Sequence, residues 1–269
     1  MEEVSASRSW LRTDRAGPLG DAEVVSARFT THRFPVHAHL EHEIGLVTEG
    51  ACVFQHGRAW FVAPRGSLIV LGAHEEHTGR ALDGAWRQVN LYLRSDQLQA
   101  WLGTPDLVPR RPTLTDPVAA SLLRSLAGLV RVGAEALAIQ STFVALGQRL
   151  MGFRAKAEAP SSTRLEGQIR YARRRLDDEP VADLDLAQLA SETGLSPLAL
   201  MRGFRRSVGC TPYVYRTTRR LNLAKSAIRS GQPLAGIAAD SGFCDQSHLT
   251  RVFRRWFGVT PGEYQKSVA

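Results

Sequence analysis

Cysteine is scarce in this chain of 269 residues, which holds only Cys52, Cys210 and Cys244. No two of them form a C-x-x-C pair, the spacing that structural zinc sites and redox motifs use. Secreted domains often depend on disulfides, whereas cytosolic proteins keep their thiols reduced. We therefore expect a protein of the reducing cytosol, without a disulfide framework or a zinc ion held by cysteines.

Long apolar runs are missing as well. A membrane-spanning helix needs about 20 consecutive apolar residues, and no segment of the sequence approaches that length. The N-terminal segment MEEVSASRSWLRTDR lacks the apolar core of a secretion signal. The sequence therefore predicts a cytoplasmic protein with no membrane partner.

Acidic residues are few in the C-terminal part of the chain. From Pro160 onward there are 17 Lys and Arg against 10 Asp and Glu, compared with 17 against 16 before that point. Seven of the eight net positive charges thus lie in the part that begins at Pro160. A basic part beside a nearly neutral part is typical of a nucleic-acid-binding module joined to a domain of another kind.

The basic part contains an internal repeat. The segment LAQLASETGLSPLALMRGFRRSVGCTP is followed by LAGIAADSGFCDQSHLTRVFRRWFGVTP, and the turn glycines Gly194 and Gly242 are 48 positions apart. In each copy, Ala-x-x-x-Gly joins an amphipathic segment to a second segment that carries arginines. Small residues let two helices approach, and glycine accepts the left-handed backbone of a tight turn. We predict two helix-turn-helix motifs, at about 185–207 and 233–256.

Capping residues define the helices around these motifs. Ser196 and Asp245 are N-caps that begin the second helix of each copy. Between the copies, one helix is predicted from Pro212 to a C-cap at Gly231. Its length of about 27 Å, for about 18 residues at 1.5 Å each, suits two recognition helices that enter successive turns of the major groove, about 34 Å apart.

The second copy resembles a known signature. GFCDQSHLTRVFRRWFGVTP, from Gly242 to Pro261, is similar to the sequence GF-x-D-x-S-x-F-x-R-x-F-K-x-x-F-G-x-T-P of the AraC/XylS family of bacterial transcription regulators. It carries Leu249 where the family has an aromatic residue and Cys244 where the family often has Ser. The resemblance covers about residues 163–265. It implies a sequence-specific regulator of transcription, an activator that responds to a small molecule and contacts RNA polymerase.

Two sets of residues are expected to contact double-stranded DNA. Arg251 is suited to a guanine and Gln246 to an adenine, and Ser247 and Thr250 lie on the same face of the second recognition helix. The first recognition helix offers only Arg202 as a strong polar reader, and Gly203 is expected to weaken it, so we expect the second motif to discriminate more. Phosphate contacts are expected from Arg205, Arg206, Arg254 and Arg255.

Short β-branched and aromatic segments separated by turn residues fill the chain from Val24 to Leu93. They predict a small antiparallel barrel or sandwich. The pattern His37-x-His39-x-x-x-Glu43-(x)6-Gly50 resembles the first cupin motif, and regulators of the AraC family often carry a cupin-like barrel ahead of the DNA-binding domain. The expected fold is thus an N-terminal all-β cupin-like barrel with trailing helices and a C-terminal all-α double helix-turn-helix.

The cupin resemblance raises the question of a metal. In cupins His37, His39 and Glu43 would be ligands, but the fourth ligand, counted from Pro64-x-Gly66, would fall on Ile69, which cannot coordinate. We therefore expect no metal cofactor and no enzyme, and keep a cupin-type metal-dependent oxygenase or isomerase as the alternative. The preferred interpretation is a pocket for a small organic effector, lined by His37, His39, Glu43, Trp60, His77, Trp86 and Tyr92.

Helical periodicity follows the barrel, with two longer helices in 115–132 and 134–153 broken near Gly133. Their apolar stripes must pack on the barrel, on a partner chain or on both, and the resemblance implies a homodimer formed through helices in 116–152. The small and polar residues that follow are typical of a linker. The expected division is an effector and dimerisation domain at 1–153, a linker at 154–162 and a DNA-binding domain at 163–269.

Overall fold

The computed structural model of the protein describes residues 9–20, 22–154 and 164–268. Within these ranges the N-terminal part is β-rich and the C-terminal part is helical. The strands are β1 Trp10–Ala16, β2 Ala22–Phe29, β3 Arg33–His37, β4 His42–Glu49, β5 Ala51–His56, β6 Ala59–Pro64, β7 Leu68–Leu71, β8 His77–Ala81, β9 Trp86–Leu93 and β10 Thr113–Leu114.

The strands form two antiparallel sheets. The larger sheet has the order β1-β2-β9-β4-β7-β10 and the smaller has the order β3-β8-β5-β6. Alternate residues of the long strands β2, β4 and β9 point into a core that contains the fully buried side chains of Val24, Ile44 and Leu91. The predicted β-rich N-terminal domain is confirmed, although β1 and β10 lie outside the expected range from Val24 to Leu93.

Three helices follow the barrel: α1 Ser95–Leu102, α2 Pro117–Arg131 and α3 Ala136–Met151. The turn between α2 and α3 contains Gly133 with a φ of 61°, where the break was predicted. Both helices bury apolar side chains, such as Leu126 and Phe143, in the same core as the larger sheet. The Asp116 carboxylate caps α2 by accepting from the Ala119 amide at 2.8 Å and is held by Arg149 of α3 at 2.6 Å. The two helices are therefore part of the N-terminal domain.

Seven helices make up the described C-terminal part, and they are α4 Arg164–Asp178, α5 Leu186–Thr193, α6 Pro197–Val208, α7 Pro212–Arg229, α8 Leu234–Asp240, α9 Gln246–Phe257 and α10 Pro261–Val268. They enclose two cores. Tyr215 of α7 belongs to the core of α4, α5 and α6, whereas Leu221 and Ile228 belong to the core of α8, α9 and α10. The long helix α7 therefore holds the two helix-turn-helix motifs together.

The local signals that predicted these helices are present in the structure. Ser196 and Asp245 cap α6 and α9 through their side chains, and the turn glycines Gly194 and Gly242 have φ values of 66° and 77°. The predicted C-cap of α7 is wrong by one position. Ser230 is the C-cap, and Gly231 follows it with a φ of 79°.

Two further expectations concern single positions. The predicted linker lies outside the described residues except for Arg154, which pairs with Asp106 at 3.0 Å. Gly203, which was expected to weaken α6, is buried in the structure. A Cβ there would lie 2.9 Å from Cδ1 of Ile169. The glycine is therefore needed for close packing of α6 on α4.

Candidate effector pocket and DNA interface

A cavity lies between the barrel and the helical part of the chain. Its barrel wall includes His37, His39, Glu43, His77, Trp86 and Tyr92, and its helical wall is formed by Thr218, Asn222, Lys225, Trp256, Phe257 and Tyr264. Thr218, Asn222 and Lys225 belong to α7, the helix that joins the two motifs. A molecule that fills this cavity therefore touches both parts of the protein.

Three histidines and one carboxylate meet at the barrel wall. Cα register pairs His37 with His77 across β3 and β8, and one ring nitrogen from each of His37, His39 and His77 lies within 4.8 Å of the others. The Glu43 Oε2 atom lies 3.6 Å from Nε2 of His39 and 3.7 Å from Nε2 of His77. These four side chains are called the histidine cluster below.

Backbone carbonyls orient two of the rings. His37 donates from Nδ1 to the Pro35 carbonyl at 2.8 Å, and His77 donates from Nδ1 to the Glu75 carbonyl at 2.9 Å. A carbonyl oxygen only accepts, so Nδ1 carries the proton and Nε2 keeps a free lone pair when the ring is neutral. Glu43 is held in turn by Asn90, whose Nδ2 donates to Oε1 at 2.8 Å.

Burial governs the charge of the histidine cluster. It lowers the pKa of His37 to about 3, helped by the neighbouring His39, and it lowers the pKa values of His39 and His77 well below the usual range. Burial raises the pKa of Glu43 to about 7. Near neutral pH the three imidazoles are therefore uncharged, which is the form that accepts a hydrogen bond or binds a metal ion.

The histidine cluster also fits the donor set of a divalent transition metal. Three neutral imidazoles and one carboxylate are typical ligands for such ions. Metal-binding histidines usually donate the other ring nitrogen to a carbonyl or carboxylate, as His37 and His77 do here. Bound there, a metal would supply a Lewis acid to a ligand in the cavity.

The fourth donor is not at the position expected from the cupin spacing. Ile69 lines the cavity, whereas His77 reaches the cluster from β8. An isoleucine at position 69 therefore does not exclude a metal, because His77 brings a further nitrogen donor to the cluster. A usable signal was the sequence His74-Glu75-Glu76-His77, which places two histidines beside carboxylates in a barrel loop.

One residue of the expected pocket does not belong to it. Trp60 lies on β6, the edge strand of the smaller sheet, and 60% of its surface is exposed. Trp86 and Tyr92 on β9 do line the cavity. In β6, Trp60 faces solvent together with Val62, and aromatic character alone could not distinguish the inner from the outer face.

Several buried polar atoms at the cavity wall have no partner among the described residues. They come from both sides of the cavity: Thr13 Oγ1 and Asn90 Oδ1 from the barrel, and Asn222 Nδ2, Trp256 Nε1 and Tyr264 Oη from the helices. Buried polar atoms are rarely left unpaired, because each costs free energy when no hydrogen bond replaces water. The wall therefore suits a ligand with polar groups at both ends.

A buried ion pair network joins the two domains beside the cavity. Glu23 of β2 accepts from Lys225 Nζ at 3.0 Å and from Arg229. Burial by itself would raise the pKa of Glu23, but Lys225 and Arg229 outweigh it and hold the pKa below its usual value. Burial likewise disfavours the charged form of Lys225, and the attraction of Glu23 outweighs this and raises the pKa of the lysine. This network could not be predicted from the sequence, because Glu23 lies far from Lys225 and Arg229 along the chain.

The expected DNA-contacting side chains share exposed faces of α6 and α9. The side chains of α9 line a shallow concave surface, which His32 and Thr260 complete. This α9 set consists of Gln246, Ser247, Thr250, Arg251, Arg254 and Arg255. On α6 the exposed set is Arg202, Arg205 and Arg206. Arg205 also contacts the barrel, where it pairs with Glu76 at 3.3 Å.

All three cysteines are free, with Cys52 and Cys210 buried and Cys244 exposed. Burial raises the pKa of the Cys52 and Cys210 thiols to about 12, so both stay protonated near neutral pH. Among the helices of the described ranges, none has the length and the apolar character needed to cross a bilayer.

Sequence families match both parts of the chain. Residues 19–146 match the family described as AraC-like ligand binding domain, and residues 189–267 match the family described as helix-turn-helix domain. The first match spans the histidine cluster, and the second spans most of both motifs and the helix between them.

Similar proteins cover nearly the whole chain. The HTH-type transcriptional activator RhaS is 24% identical over 253 residues in Klebsiella pneumoniae, which is 90% of this chain and 91% of that protein. In Salmonella agona it is 25% identical over 261 residues, covering 93% and 94%. ToxT from Vibrio cholerae has a similar fold, with a TM-score of 0.62, 13% identity and coverage of 92% of this chain and 98% of ToxT.

The two matched domains together span most of the described residues, and the RhaS alignments run through both of them. The cavity at the barrel and the exposed arginine faces agree with a ligand-binding domain and a DNA-binding domain. The chain belongs to the AraC family of transcription regulators, with a ligand-binding domain followed by a helix-turn-helix DNA-binding domain.

Proposed function

We propose that a small organic effector binds in the cavity between the domains and thereby changes how the protein binds DNA. The observation that carries the proposal is the set of unpartnered buried polar atoms, which the barrel and the helices contribute together within the described ranges. An effector that pairs with both walls favours one arrangement of the domains. It shifts the equilibrium only by its difference in affinity between the two arrangements.

We further propose how the chain is divided into domains and where it acts. The effector domain comprises residues 1–153, the linker 154–162 and the DNA-binding domain 163–269. The protein acts in the cytoplasm, where its DNA is, as an activator that contacts RNA polymerase and not as an enzyme. ToxT has been crystallised with an unsaturated fatty acid bound, which supports an organic ligand for this fold.

We assign base reading chiefly to α9. Replacement of Arg251 by alanine is expected to weaken specific DNA binding by about 1 to 3 kcal/mol and to relax preference at one or two base pairs. The reason is that Arg251 is exposed on the same face as Gln246 and presents a fork that fits guanine. Selection of bound sequences from a random DNA pool, followed by binding titrations, measures both effects.

Arg254→Ala is the matched control on the same helix. Arg254 lies near the C-terminal end of α9, and its loss is expected to lower the slope of log affinity against log salt by about one unit with little change in preferred sequence. An Arg251→Ala variant that loses the same affinity for random and selected DNA would contradict the base-reading role. The proposed division between the two helices would then be wrong.

A homodimer through α2 and α3 is supported by exposed apolar side chains on and between these helices. Val118, Val132 and Leu137 are 54%, 76% and 65% exposed, although other residues of both helices pack on the larger sheet. We expect Val118→Lys to raise the dimer dissociation constant, because burying an unpaired charge at an interface is unfavourable. Sedimentation equilibrium measures the change, and Leu82→Lys on the barrel is the control. A wild-type protein that is monomeric at micromolar concentration would exclude this interface.

A metal ion is a second candidate ligand, because one observation favours it. His37 and His77 each bond Nδ1 to a carbonyl and keep Nε2 free, and Nε2 of His77 lies 3.7 Å from Glu43. This is the arrangement of metal-binding histidines. In that case a divalent transition metal, alone or together with the organic molecule, would be part of the signal. Zn²⁺ titrations of pocket variants separate the two ligands.

A further inference from the structure

The two helix-turn-helix motifs rest on the barrel at equivalent positions. Gly209 and Gly258 follow the two recognition helices with φ values of 92° and 77°, and they occupy matching places in the two copies of the repeat. A Cβ on Gly209 would lie 2.9 Å from the carbonyl oxygen of His74, and a Cβ on Gly258 would lie 2.6 Å from the Phe29 ring. The barrel therefore contacts each motif just after its recognition helix, and a different element of the barrel makes the contact in each case.

The residues after these glycines differ between the motifs. In the second motif, the Thr260 amide donates to Glu263 of its own helix at 2.7 Å, and the Glu263 amide donates back to Thr260 at 3.2 Å. This reciprocal pair is a capping box. In the first motif the position equivalent to Glu263 is Val214, which has no acceptor in its side chain.

The barrel supplies the missing carboxylate. The Thr211 amide donates to Oε1 of Glu76 at 3.0 Å, and the Thr211 hydroxyl accepts from the Val214 amide at 3.2 Å. The second oxygen of Glu76 pairs with Arg205 at 3.3 Å. One barrel side chain thus caps α7 and also neutralises an arginine of the first recognition helix.

The loop that carries Glu76 is connected to the histidine cluster. Glu76 is next to His77, and the His74 amide donates to the His39 carbonyl at 2.7 Å. His74 has a φ of 68°, which is unusual for a residue with a Cβ and marks a constrained loop. Its ring packs against Tyr215 of α7 with 4.9 Å between centroids. His39 and His77 are therefore connected through this loop to the contact with the first motif.

We propose that residues 72–76 form a docking surface for the first helix-turn-helix motif, and that Glu76 competes there with the DNA backbone for Arg205. The inference rests on the proposed DNA contacts of α6. In the docked state the carboxylate takes the place of a phosphate, so the barrel restrains the first motif. A ligand at the histidine cluster acts on this restraint through His77, which follows the loop, and through the hydrogen bond from His74 to His39. The exposed arginines of α9 stay available for DNA.

Glu76→Gln in the full chain tests the competition. The amide oxygen still accepts from Thr211, but the charge that faces Arg205 is lost. Affinity for random duplex DNA without effector is expected to rise about two- to fivefold, the range for a partly exposed ion pair. The slope of log affinity against log salt is expected to become steeper by up to about one unit. In wild type Arg205 leaves the Glu76 carboxylate when it binds a phosphate, whereas in the variant it has no such ion pair to give up. Binding titrations at several salt concentrations measure both.

Two comparisons make the experiment decisive. Glu49→Gln removes an equally charged barrel residue that pairs with Arg87 on the surface, and it should leave DNA binding unchanged. In an Arg205→Gln background, Glu76→Gln should no longer raise the affinity, since the two changes act on one contact. Equal affinity and salt slope for Glu76→Gln and wild type, or a loss of affinity, would overturn the proposal. If wild-type protein showed no specific DNA binding, the proposed DNA contacts would fail instead.

Discussion

Replacement of Glu23 by glutamine is expected to lower the free energy of unfolding by about 3 kcal/mol or more near neutral pH, the usual cost of removing one partner from a buried ion pair. Glu23 is the carboxylate that accepts from both Lys225 and Arg229 at the domain interface. Lys225 is also buried against the rings of Phe257 and Tyr264. Without Glu23 the charge of Lys225 would lose the carboxylate it bonds to. Urea denaturation, followed by separate probes for barrel and helices, measures the loss.

The pH dependence of this effect has a definite sign. The pKa of Glu23 is held below its usual value in the folded protein, where Lys225 and Arg229 outweigh the effect of burial. Its contribution to stability is therefore present above the unfolded pKa and is lost as the pH falls through the folded pKa. The difference in unfolding free energy between wild type and Glu23→Gln should shrink in acid.

Two controls accompany the Glu23 experiment. The exposed Glu49→Gln change should cost less than about 1 kcal/mol. Lys225→Met in the Glu23→Gln background should recover part of the stability, because the unpaired charge is gone. If Glu23→Gln were as stable as Glu49→Gln at neutral pH, the network would not hold the domains together.

The helical half of the protein could be predicted closely because its signals are local. Ser196 and Asp245 begin helices, and Gly194 and Gly242 turn the chain, and each of these effects involves residues within one or two turns. The duplicated sequence adds a second copy that supports the reading of the first. The one shift, at the end of α7, amounts to a single position, since helix ends fray.

The strands of the barrel were harder to predict from the sequence, because they depend on partner strands far along the chain. In β1, WLRTDRA, three of the seven side chains are charged, and the strand exists because it pairs with β2 along its whole length. β3 and β8 pair with each other through His37 and His77, and both are short. Neither carries the alternation of apolar and polar residues that marks a half-buried strand.

The candidate site likewise combines residues that the sequence could identify with residues that it could not. His37, His39 and Glu43 were found because they are close in sequence, and His77 was expected in the pocket with them. The helical wall of the cavity, with Asn222, Lys225 and Tyr264, was not found. Its residues come from the interior of α7, from the end of α9 and from α10. Only the packing of one domain on the other brings them to the barrel.

Addition of Zn²⁺ to protein that has been treated with a chelator is expected to raise the melting temperature of wild type and to leave that of His77→Ala unchanged. At a metal concentration of 100 times the dissociation constant, binding adds about 2.7 kcal/mol. For a chain of this size that corresponds to about 5 to 10 °C. Co²⁺ provides a second readout, because its visible absorption reports nitrogen and oxygen ligands without any need for an activity assay. His56→Ala, a barrel histidine outside the cluster, should behave as wild type.

The same measurements separate a metal from an organic effector, because the two ligands depend on different walls of the cavity. Metal binding needs the barrel wall alone, so Asn222→Ala should retain the full response to Zn²⁺ while losing affinity for an organic ligand that pairs with both walls. If Asn222→Ala lost the Zn²⁺ response, the metal would not be bound by the histidine cluster. If wild type gained no stability from Zn²⁺ and gave no Co²⁺ spectrum, the cluster would bind no metal. Its neutral histidines and protonatable carboxylate would then serve as hydrogen-bonding groups for the organic effector. In that case His77→Ala would bind the effector more weakly, and a chelator would affect the variant no more than it affects wild type.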